Sequence, residues 1–159
     1  MAHRGIATLA TALMLSVLVL SHFELEFFLL HLYQSLMYLA VLLLLFYSEE
    51  QYAYMLGMLV PAVWLLLTFT TGLLPGAARQ VSRLLRLERP SNPVSLMAAV
   101  IAVLAVLMIA FCAYRWKREY AGLGKGLTTF LLSFGVVFVY YAILVVWFWH
   151  RVPQVIRGE

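Results

Sequence analysis

Residues 27–47, FFLLHLYQSLMYLAVLLLLFY, run without a single formal charge. About 20 apolar residues in a helix match the roughly 30 Å hydrocarbon core of a bilayer, whereas a surface helix of a soluble domain keeps one polar face. Comparable uncharged runs cover 5–23, 51–78, 90–114 and 126–150. Barrel strands would instead alternate polar and apolar residues over segments of about ten positions, a pattern this chain lacks. Charged residues make up 11% of the chain, against about 25% in a soluble domain, and they gather between the runs. The fold class that follows is all-α: a polytopic transmembrane bundle of four to five helices, forming a single integral membrane domain over 1–159. The expected spans are 5–22, 27–48, 52–74, 94–114 and 127–149.

The net charge of +4 does not point to nucleic acid. Most of the basic residues flank apolar runs, where they meet anionic headgroups and bias orientation. The expected partners are the lipid bilayer, anionic lipid headgroups, and other membrane subunits or further copies of the chain. Residues 77–89, AARQVSRLLRLER, predict a short interfacial amphipathic helix over 77–88. On it Arg79, Arg83 and Arg86 share one face while Val81, Leu84 and Leu85 share the opposite one. Lipid headgroup contact is assigned to those three arginines. Glu88 falls on the apolar side, so this helix should fray before Pro90.

The connections carry their own signals. MAHRG and the apolar run behind it have the size of a signal peptide, but Val19-Leu20-Ser21 is a poor cleavage site, so an uncleaved first helix is expected. The link from His22 to Glu26 is short and lacks the Gly or Pro that usually marks a turn. Pro61 predicts a kink in the third helix, and Pro75-Gly76 should close it. Ser91-Asn92-Pro93 predicts the start of the fourth span. There Ser95, Ala98, Ala99, Ala102 and Ala105 recur at three- and four-residue intervals, which lets helix backbones approach closely. That helix is expected to be the central packing element. Arg115-Trp116-Lys117-Arg118 and Trp147-Phe148-Trp149-His150-Arg151 read as membrane boundaries. The stretch 122–126, GLGKG, lacks the full phosphate-loop pattern and reads as a turn. Five crossings would divide the 11 basic residues five against six between the two sides, so loop charge does not set the orientation. A bacterial cytoplasmic (inner) membrane is the expected location.

Ionisable groups inside a span cost ~2.5–3.5 kcal/mol on insertion scales and turn toward a bundle interior. Here Glu24, His31 and Tyr38 recur at seven-residue spacing, with Gln34 on the same stripe. A carboxylate near an imidazole can relay protons or orient the ring for a cofactor. The plainer alternative is hydrogen bonding that fixes helix packing. No cofactor motif is present; His31 is the candidate ligand for a haem, and no second histidine lies well inside a span. Thr129, Ser133 and Tyr140, with Thr68 and Thr71, could line a small polar cavity. Asp is absent, the single Cys112 lies in an apolar run, and no HExxH pattern occurs. These features point first to a non-catalytic accessory or structural subunit of a membrane protein complex. The alternatives are a small transporter or channel subunit using the polar stripe, and a haem- or quinone-binding redox subunit.

Overall fold

A computed structural model describes residues 2–87, 89, 92–120 and 126–147. Six α-helices follow one another: α1 (Ala2–Phe23), α2 (Phe28–Phe46), α3 (Glu50–Thr70), α4 (Leu73–Leu85), α5 (Pro93–Tyr120) and α6 (Gly126–Trp147). All but α4 are long and apolar enough to cross a membrane. The described residues contain no strand, and the chain is an all-α bundle of a membrane protein. The expected turn at 122–125, the boundary residues after Trp147 and the fraying at Glu88 lie outside the described residues.

The tight link between α1 and α2 needs neither Gly nor Pro. Glu24 leaves the helical region, at φ −126° and ψ 70°, and a 3-10 turn over Leu25–Phe27 completes the reversal. Its closing bond runs from the Phe27 amide to the Glu24 carbonyl, at 2.9 Å. Between α3 and α4 the breaker is Gly72, whose φ of 78° is a left-handed conformation that glycine adopts without steric cost. Pro75-Gly76 therefore does not close the third helix; both residues sit in the first turn of α4. The first four amides of a helix have no intrahelical acceptor, so a proline there loses no helical bond. For the same reason the amphipathic helix begins at Leu73, four residues earlier than its charge pattern suggests.

α1 and α2 form an antiparallel pair, and α1 also packs on α5. The helix with the most neighbours is α3, which packs against α2, α4, α5 and α6; α5, expected to be central, packs against α1, α3 and α4. Ser95, Ala98 and Ala105 of α5 are buried, while Ala99 and Ala102 are half-buried. Ser95 lies close to Gly76 of α4, and the closest approach of α5 to α3 is at Gly57. A Cβ there would stand 2.6 Å from the Cys112 sulfur and 3.0 Å from the Met108 methyl, both on α5.

α6 packs on α3 along one inward stripe, Thr129, Ser133, Val137, Tyr141 and Leu144. Its other sides carry a ladder of stacked rings, Phe130–Phe134–Phe138, with centroids 5.9 and 6.2 Å apart. A reciprocal clasp ties α6 to α2. Tyr33 and Tyr140 stack at 4.0 Å, and each hydroxyl donates to the other residue's backbone carbonyl.

Candidate functional site in the bundle interior

Because α1 and α3 run the same way and α2 and α5 the opposite way, the bundle has two distinct ends. One end holds the α1–α2 turn and α4. Here Glu24, held at the turn, reaches His31 two helical turns along α2, with Oε2 and Nε2 3.0 Å apart. The His31 side chain is 7% exposed and that of Glu24 30%, so the pair joins the boundary to the interior. The residues of the polar stripe do come together on the buried side of α2: His31, Gln34 and Tyr38 are all buried.

Beyond the Glu24 contact this column is short of protein partners. His31 Nδ1, Gln34 Oε1 and the Tyr38 hydroxyl are buried with no protein hydrogen bond, and so is the Ser133 hydroxyl on α6. Tyr141 on α6 comes close enough to Tyr38 for the two phenols to interact electrostatically, and its own hydroxyl donates to the Val60 carbonyl at 3.5 Å. Buried polar atoms in native proteins nearly always find a partner, in protein or water. Three such atoms on α2 and one on α6 therefore stand without a protein partner.

The second expected polar cluster is rearranged. The inward tyrosine of α6 is Tyr141, since helical spacing from Thr129 and Ser133 leads there through Val137; Tyr140 turns to α2 instead. Thr68 donates to the Trp64 carbonyl at 2.9 Å and Thr71 to the Thr68 carbonyl at 3.4 Å. Those hydroxyls serve their own helix, as Ser and Thr commonly do in apolar surroundings.

At the opposite end, where α3 begins and α5 finishes, the structure assembles a group that the sequence reading did not identify. Tyr54, fully buried, donates to Glu50 at 3.4 Å and lies within hydrogen-bonding reach of Arg115 and Glu119. Arg115 pairs with Glu119 at 2.5 Å. Trp116 stacks on Tyr120 at 5.1 Å, and Tyr120 meets Tyr54 edge-on at 6.1 Å. Glu50/Tyr54 and Arg115/Glu119 are both i,i+4 pairs, a signal present in the sequence. Arg115 thus turns inward and leaves the basic boundary cluster to Lys117 and Arg118, which are exposed.

On α4, Arg79, Arg83 and Arg86 are exposed, and so are Val81, Leu84 and Leu85. Its packing face is a third one, Ala77 and Gln80, set against α5. Two exposed faces of opposite character on a helix at the membrane boundary are what an interfacial helix presents. No group of three or more metal-ligating side chains occurs among the described residues. No protein-family model, curated protein or solved structure matches this chain.

Proposed function

We propose that this membrane protein moves protons through the interior of its own bundle, acting as a small transporter or channel subunit. The observation that carries this reading is the Glu24–His31 pair, continued inward by buried polar atoms that no protein group satisfies. Leaving a buried donor or acceptor unpaired costs about 1–3 kcal/mol, so a column of them is retained only where water or a solute enters. Buried water needs two or more polar partners, and this column offers them from α2 and α6. A carboxyl proton on Glu24 passes to His31 Nε2, and the ring releases its Nδ1 proton inward to water held by Gln34 and Tyr38. The imidazole is neutral again, one proton has advanced, and ring rotation resets it.

The test is purified protein in liposomes carrying a pH gradient, with a pH-sensitive dye inside. His31→Ala is expected to lower the proton flux at least tenfold, to the level of protein-free vesicles. Flux unchanged in the variant would remove the column from function.

A second reading, an accessory subunit of a larger membrane complex, is favoured by the attachment of α6. Its Phe130–Phe134–Phe138 ladder faces away from its own bundle and suits a neighbouring helix. Native mass spectrometry of gently extracted protein tests this reading together with the role of α4. A stoichiometric foreign subunit supports the accessory reading, and a lone chain contradicts it. Retained anionic phospholipid that disappears when Arg79, Arg83 and Arg86 are all changed to Gln supports headgroup contact; retention in the variant contradicts it.

A further inference from the structure

We infer that the outer face of α1 holds an anionic phospholipid, with its phosphate on Arg4 and one acyl chain in the groove that begins there; this goes beyond the proton-moving reading and does not depend on it. The groove has a volume of about 550 Å³ and is lined by Arg4, Ala7, Thr8, Thr11, Ala12 and Leu15. It forms because α1 turns Ile6, Leu13, Val17 and Leu20 into the bundle and keeps small side chains on the outer face of its first half. On the outer face of its second half Leu15, Val19 and Phe23 stand about half exposed, so the groove stops at Leu15.

Length is the first argument for a lipid chain. From Arg4 to Leu15 the helix rises about 16 Å, and half of the roughly 30 Å hydrocarbon core is about 15 Å. The groove therefore covers one leaflet, from the boundary to the midplane, which is the path of one acyl chain. The α1 of a second copy would cross the whole bilayer and run into Leu15, Val19 and Phe23. Two-fold pairing would also set Arg4 against Arg4.

Charge then selects the headgroup. Arg4 is exposed, and no carboxylate pairs with it among the described residues. Arg115, on α5 at the same end of the bundle, is taken by Glu119. A guanidinium holds a phosphate through paired N–H donors. No acidic side chain lines the groove, so a lipid of net negative charge is favoured over a zwitterionic one. The Thr8 hydroxyl donates to the Arg4 carbonyl at 2.7 Å, so an alkyl chain covers it without stranding a donor. Because α1 begins at the end opposite α4, this lipid lies in the leaflet opposite the one that meets Arg79, Arg83 and Arg86.

The test uses the full-length protein with Arg79, Arg83 and Arg86 all changed to Gln, which removes the α4 arginines from the count. Phosphatidylglycerol or phosphatidylcholine of equal chain length is added in mild detergent, and native mass spectrometry counts the lipid retained. One phosphatidylglycerol per chain is expected, bound at least tenfold more tightly than phosphatidylcholine. Arg4→Gln should abolish that preference. Thr8→Phe fills the groove and leaves the charge, and it should lower phosphatidylglycerol binding at least tenfold. Thr8 is exposed, so this variant should keep the wild-type thermal midpoint; Ala12→Leu repeats the block deeper in the groove. A preference that survives Arg4→Gln overturns the inference, and so does equal binding of the two lipids. Binding unchanged in both groove variants would leave Arg4 a bare surface charge and overturn it. A dimer that retains no lipid and dissociates on Thr8→Phe would give the groove to a second copy, which also overturns it.

Discussion

Gly57→Leu should unfold or disassemble the bundle in mild detergent, with a loss of about 3 kcal/mol, the upper end for overpacking a filled core. The glycine lies where α3 and α5 touch, and even its first added carbon would stand 2.6 Å from the Cys112 sulfur. A leucine would push three further carbons into the space held by Met108 and Cys112, both fully buried. Gly57→Ala is a finer probe because two effects oppose. Alanine gains about 1 kcal/mol of helix propensity over glycine, while its methyl must displace the sulfur. Combined with Cys112→Ala, which removes that sulfur, Gly57→Ala should recover most of any loss. Thermal unfolding followed by circular dichroism checks the series. A Gly57→Leu midpoint equal to wild type would mean that α3 and α5 are not in close contact.

Tyr38→Phe should separate stability from function. The phenol is 1% exposed and its hydroxyl has no protein hydrogen bond. Removing the oxygen keeps the ring packed and breaks no protein hydrogen bond, so the bundle should be at least as stable as wild type. Proton flux should nevertheless fall at least tenfold, because in the proposed path this hydroxyl holds water beyond His31. Loss of stability with flux retained would show that Tyr38 makes a structural hydrogen bond and stands off the path. Such a trade of stability for activity is common where a site keeps unsatisfied polar atoms.

Much of this architecture was legible in the residues. The five apolar runs gave the helices that can cross a membrane, because length and lack of charge leave few other folds for them. The seven-residue spacing of Glu24, His31 and Tyr38 placed them on one stripe, and the structure brings Glu24 and His31 into contact. Helix ends were harder to read. Proline signals a stop in general, but Pro75 follows a glycine already in the left-handed conformation and so begins a helix rather than ending one. Neighbour relations were hardest. A row of small residues on α5 suggested a central packing helix, and α5 does pack on α1, α3 and α4, but the row does not say which neighbour comes closest, and that contact is made at Gly57 of α3. Likewise Glu50/Tyr54 and Arg115/Glu119 each read as a local pair. Only the packing of α3 on α5 joins them into one cluster.

Conduction of protons by the bundle itself is open to a direct test. The most direct measurement is proton flux into liposomes across a series of protein-to-lipid ratios, with wild-type protein and no other subunit present. A conducting bundle gives a rate that rises in proportion to protein and returns to the protein-free rate in His31→Ala. A rate equal to that of protein-free vesicles at every ratio would contradict it.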